Sequence, residues 1–183
     1  MKGVLFMYRK GYGRMTLAGW LHLELENCNA VAGLVCGALV ALGGLLLKLF
    51  SGSPYPTLLA LGIGEVTPPV WIMVLLWTVS LFTVGASMGL VLSYRERGRD
   101  CEKYRAGMFF LLLLVLEFLW YPVFFGAMLV FLSALLSILI LCCAVVLTVL
   151  SARINRLITG VLVLHDLWLI YLLIFNFAVL FRS

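Results

Sequence analysis

Charge is the first thing this sequence is short of. Only 11% of its 183 residues are charged, with eight acids and two histidines. The charges are also gathered rather than spread. Ala30–Leu47 and Pro68–Tyr94 carry none, Ala106–Ala152 carries only Glu117, and Leu157–Phe181 carries only Asp166 beside His165. A soluble domain needs polar side chains to cover itself, and this chain has too few. His22 and His165 lie in different segments, which argues against a multi-histidine metal centre. Among Cys28, Cys36, Cys101, Cys142 and Cys143 there is no C-x-x-C and no C-x-x-C-H. That speaks against thiolate metal sites and covalent c-type haem, and the cysteines read as small buried hydrophobes. Metalloprotease and phosphate-binding signatures are missing too: no H-E-x-x-H and no phosphate loop.

What the chain has instead is apolar length. It is 64% hydrophobic, with a mean hydropathy of +1.17, and a bilayer core about 30 Å thick needs roughly 20 apolar residues as a helix. The fold class is therefore an all-α integral membrane protein. The run Ala106–Ala152 would make a single helix of about 70 Å, more than twice the membrane core, so it must fold back. Pro122 and Gly126 are its break signals, which puts a tight turn near Gly126–Leu129. Five spans result, at about 29–50, 68–94, 105–125, 128–151 and 156–181. Residues 29–183 form the five-helix transmembrane domain, and residues 1–28 an N-terminal cytoplasmic or interfacial segment.

Five spans place eleven Lys and Arg residues on one side of the membrane and two, Lys48 and Arg182, on the other. The positive-inside rule then puts the N-terminus in the cytoplasm, and a bacterial plasma membrane is the simplest location. The net charge of +5 follows from this topology and does not point to nucleic acid. Gly33, Gly37, Ala41 and Gly44 make a stripe of small residues on the first span, and Gly85 and Gly89 stand four apart on the second. Such residues let helices approach closely in lipid, within the bundle by default and otherwise at a dimer face. The connection "SGSPYPTLLALGIGEVT" is long and semi-apolar, either a lid over the bundle or an ordinary connector.

Ionisable groups inside the membrane face the bundle interior or a cavity, and Glu117, His165 and Asp166 are three of them. At 100° per residue Glu117, Tyr121 and Phe124 share a face of the third span. His165, Trp168, Leu172 and Phe175 share one on the fifth, with Asn176 beside it, and Trp77, Leu81, Val84 and Met88 one on the second. These stripes either pack as core or line an aromatic pocket with a few polar points, the usual make-up of a small-molecule site. Glu117 is expected to be protonated or paired with a neighbour such as His165. Trp71, Trp120 and Tyr94 also fit an interfacial aromatic belt.

Three segments resemble the translocator protein family (TspO/MBR, the tryptophan-rich sensory proteins and peripheral benzodiazepine receptors). The family's second helix reads approximately P-P-x-W-x-F-G-x-x-W-T followed by a glycine. "PPVWIMVLLWTVSLFTVG" matches it at Pro68, Pro69, Trp71, Trp77, Thr78 and Gly85. "EFLWYPVFF" supplies Trp120, Phe124 and Phe125 of the third-helix pattern, and "LHDLWLIYLLIFN" supplies Trp168 and Asn176 of the fifth. The chain departs where Glu117 replaces the family's asparagine, where Leu164–His165 replaces its P-Y, and where Met73–Val74 replaces its F-G. The first-loop motif is reduced to Tyr55 and Leu58.

The resemblance, over residues 30–181, implies a five-helix bundle whose cavity binds protoporphyrin or haem and, in some members, sterols or synthetic ligands. No cofactor is required for this, and family members commonly form homodimers. The expected ligand-binding residues are Tyr55, Trp77, Glu117, Trp120, Tyr121, Phe124, His165, Trp168, Leu172, Phe175 and Asn176. A porphyrin would stack on Trp77 and Trp168, with His165 as donor to its propionates or as an iron ligand. If the protein degrades porphyrin in light, as is linked to bacterial members, Trp77 and Trp168 are the residues to carry it. The alternatives are a carrier with a proton relay through Glu117, His165 and Asp166, and a structural membrane protein whose pocket has lost its ligand. Membrane lipid and a hydrophobic small molecule are the partners this reading implies, with no nucleic acid and no metal.

Overall fold

The computed structural model describes residues 28–51, 69–94 and 100–181. Expectations about residues 1–27, about the connection that holds Tyr55, Leu58 and Pro68, and about residues 95–99 and Arg182 fall outside the described residues. Within them the architecture is helical throughout: α1 (Ala30–Ser51), α2 (Val70–Ser93), α3 (Asp100–Tyr121), α4 (Val130–Ala152) and α5 (Arg156–Leu180). All five are long and apolar enough to cross a membrane. Helices follow from the solvent: lipid offers the backbone no hydrogen bonds, so each segment must satisfy its own.

The helix ends are marked by the residues expected to mark them. Asn29 caps α1, its Oδ1 accepting from Val31 N at 3.1 Å and Ala32 N at 3.3 Å. Its own N–H donates to Ser93 Oγ at 3.1 Å, which ties the start of α1 to the end of α2. Pro69 precedes α2, where a missing N–H is no loss. Asp100 and Glu102 occupy the first turn of α3, the favoured end for acids. Asn155 caps α5 most fully, accepting from Leu157 N at 2.8 Å and Ile158 N at 3.2 Å while buried. Asn155→Ala is expected to lower stability by about 1 kcal/mol. Asn155→Asp, which keeps the acceptor, should lose less; denaturant midpoints in mixed micelles read the difference.

The fold-back lies where Pro122 and Gly126 put it. Proline has no N–H to give the carbonyl four residues back, and the end of α3 widens into a π-helical turn over Pro122–Gly126. Ala127 N then donates to Pro122 O at 2.9 Å and Leu129 N to Val123 O at 3.1 Å. The reversal is completed by Met128 at φ 55°, a left-handed conformation that usually calls for glycine.

Helices α2, α3, α4 and α5 form a closed ring in which each touches the next, and α1 stands outside against α2. The small-residue stripes belong to that outer seam. Gly33 faces Ala86 and Leu90, Gly37 faces Phe82, and Gly44 faces Trp77 and Leu81. From the other side Gly85 meets Cys36 and Val40, and Gly89 meets Ala32 and Gly33. The glycines are therefore used within the bundle, between α1 and α2, and these stripes present no dimer face. Trp71 is exposed at the start of α2, as a belt residue would be, whereas Trp120 and Tyr94 are buried.

Candidate functional site

Inside the ring, α2, α3 and α5 bring their aromatic stripes together. Trp77, Trp120 and Tyr121 are buried, and Trp168 is half-buried. The Trp77 and Tyr121 rings stack with centroids 4.6 Å apart at 26°. Trp120 stacks on Phe124 at 5.3 Å and 12°, and Phe125 meets Trp120, Tyr121 and Phe124 edge-on or tilted. Two neighbouring hollows remain. One, with about 20 Å³ of free space and partly open to the surroundings, is lined by Met73, Val74, Trp77, Trp120, Tyr121, Phe125, Trp168 and Leu172. The other, with about 10 Å³ of free space, is lined by Trp77, Ser80, Glu117, Trp120, Ile140, Trp168, Leu169 and Leu172. The shared walls, Trp77, Trp120, Trp168 and Leu172, make them two parts of one site. Met73 and Val74 are in the first turns of α2 and Phe125 ends α3, so the larger hollow lies toward the end of the bundle from which residues 52–68 connect α1 to α2.

The smaller hollow is the polar one. Glu117 is only 5% exposed and His165 2%. Glu117 Oε1 lies 2.9 Å from His165 Nε2, which is the pairing expected from the sequence. The two groups are close but out of line, so the contact lacks the direction of a hydrogen bond. His165 Nδ1 is 2.7 Å from Ser80 Oγ. Three helices thus contribute one residue each to a chain Ser80–His165–Glu117, and Ser80 and His165 sit near the middle of their spans. A lone charge at that depth costs about 2.5–3.5 kcal/mol; clustering is what makes the acid tolerable there. Glu117 Oε2, Trp120 Nε1 and Tyr121 OH are buried with no hydrogen-bond partner among the described residues. Buried polar atoms without partners are uncommon, and these three belong to residues that line the hollows.

Several expected site residues stand elsewhere. Asn176 is fully buried between α4 and α5, where its Oδ1 accepts from Ser133 Oγ at 2.9 Å and its Nδ2 donates to Leu172 O at 2.7 Å. Phe124 and Phe175 pack on each other at 5.7 Å, outside the lining of either hollow. His165 stands behind the lining of both hollows, with Nδ1 bonded to Ser80 and Nε2 turned to Glu117. Asp166 turns to α4, accepting from Thr148 Oγ1 at 2.8 Å, so a relay through Glu117, His165 and Asp166 is assembled only as far as the first two. Tyr55 is outside the described residues.

Residues that sequence reasoning passed over complete the lining. Met73 and Ser80 lie on the Trp77 face of α2, one turn before and after it, and that spacing was a usable signal. Ile140 comes from α4, a helix so uniformly aliphatic that nothing singles it out.

A tetrapyrrole tests the site severely. The larger hollow, with about 20 Å³ of free space, is far smaller than small-molecule pockets of about 300–1,000 Å³. A flat macrocycle is broader than the gap between Trp77 and Tyr121, which are already in stacking contact. A compact aromatic molecule and a macrocycle alike enter only once the side chains around the hollow, that stack among them, move apart.

Comparison with curated proteins gives no match, and neither does comparison with solved structures. The model of the TspO/MBR family matches residues 29–182. That stretch takes in all five helices and every residue of the hollow, and the chain belongs to the TspO/MBR family.

Proposed function

We propose that this protein is an integral membrane binding protein, a receptor or sensor, for hydrophobic aromatic small molecules held within the bundle, tetrapyrroles among them. The observation that carries the reading is the meeting of Trp77, Trp120, Tyr121 and Trp168 from three helices around one hollow. Aromatic walls offer a flat ligand large contact area and stacking geometry, and the unpartnered Trp120 indole N–H and Tyr121 hydroxyl supply the few polar points that fix orientation. The orientation that goes with it has the N-terminus in the cytoplasm of a bacterial cell, from the excess of Lys and Arg on that side.

The test is a titration of the purified protein with protoporphyrin IX, read by the shift of its Soret band, beside a compact aromatic probe. Trp77→Phe with Trp168→Phe is expected to weaken binding roughly tenfold, from the loss of two indole contacts. Unchanged affinity in the double variant contradicts the proposal. Loss of the Soret band in light and oxygen, abolished by the same substitutions, would extend binding to photo-oxidation.

A further inference from the structure

The hollow that takes an aromatic ligand is not electrically neutral in its chemistry. Its lining holds three indoles, a phenol and one acid, and no lysine or arginine. Aromatic rings present a negative face, and rings grouped around a cavity form a cage that attracts a cation.

The acid is poised rather than consumed. Ser80 Oγ and His165 Nδ1 are hydrogen-bonded at 2.7 Å. His165 Nε2 on the other side of the ring stands 2.9 Å from Glu117 Oε1, out of line for a hydrogen bond. Serine and histidine therefore stand in a row behind one oxygen of the Glu117 side chain. Glu117 Oε2 has no donor among the described residues, and the residue is 95% buried in a medium that penalises a lone charge.

We propose that the hollow selects ligands bearing a positively charged nitrogen, with the ammonium against Glu117 and the apolar body between the indoles. The inference rests on the ligand-binding reading above and names the ligand class for that same site. A dicarboxylate enters the same hollow at a disadvantage, because its charge meets an acid and no base.

The experiment compares 2-phenylethylamine, an ammonium at pH 7, with propylbenzene, its neutral isostere. Both are titrated against the full chain in nanodiscs, with empty nanodiscs subtracted. The ammonium is expected to bind roughly tenfold or more tightly than propylbenzene. In Glu117→Gln the ratio should fall to about one. In Asp166→Asn, which removes the acid that faces Thr148 instead of the hollow, it should persist. A wild-type ratio near one overturns the inference while leaving ligand binding intact, as does a preference that survives in Glu117→Gln. Binding of neither probe to folded protein overturns both readings. Because a choline lipid carries the same cation, the titration is run in phosphatidylglycerol and in phosphatidylcholine discs. Equal affinity assigns the site to a free amine, and weaker affinity in choline lipid assigns it to the headgroup; both uphold recognition of the cation.

Discussion

His165→Leu is expected to lower the stability of this protein by about 3–5 kcal/mol, the usual effect of removing one partner from a buried charged or polar pair. The imidazole is 2% exposed and has a polar contact at each nitrogen. Its loss leaves Glu117 with no polar group against it and Ser80 Oγ without its side-chain partner, both of them buried. Removing both members should be far milder. In His165→Leu with Glu117→Leu the site becomes apolar at similar volume, and replacement of a buried pair by hydrophobic residues is often neutral or stabilising. The measurement is a double-mutant cycle from denaturant midpoints in mixed micelles, with an expected coupling of about 2 kcal/mol or more. Additive losses would mean that the 2.9 Å approach contributes nothing to the fold.

The second large effect is at the α1–α2 seam. A Cβ on Gly89 would stand 2.5 Å from Ala32 O and 2.9 Å from Gly33 Cα, both backbone atoms of α1. Backbone cannot rotate aside as a side chain can, so Gly89→Ala forces the two helices apart, and a cost of about 1–3 kcal/mol is expected. The loss should be concentrated in α1, because that helix packs chiefly on α2 and has little else to hold it. Gly160 is the control: a Cβ there meets nothing within 4 Å. Gly160→Ala should be no less stable than the parent chain, since alanine is the better helix former. Thermal inactivation of both variants checks the contrast, and equal loss in the two would show that backbone approach is not what the seam depends on.

How far the site was legible depends on the kind of signal each residue carries. Trp77, Tyr121, Trp168 and Leu172 were picked out by helical spacing, Trp120 by the family resemblance, and all line the hollow. Glu117 announced itself as the lone acid in an apolar run, and it does face inward. Asn176 and His165 looked like ligand-facing groups for the same reason, yet their polar atoms are used between helices. Position on a helix gives a direction, whereas a hydrogen-bond partner on another helix depends on packing angle and depth. Ser80 is the converse: an ordinary serine in the sequence that becomes the hydroxyl orienting the imidazole once α2 and α5 are side by side.

By itself the sequence determined that this chain crosses the membrane five times, where it turns back, and which helix faces avoid lipid. Those are consequences of solvation, which acts on each residue through its own polarity and needs no neighbour. Only the tertiary structure decided that α1 is an outer buttress, that the glycine stripes close a seam within the bundle, and that the aromatic faces leave a small hollow with a carboxylate oxygen unpaired. Each of those depends on which side chains from different helices arrive within a few ångströms of one another, and distance across a bundle is written in no single span.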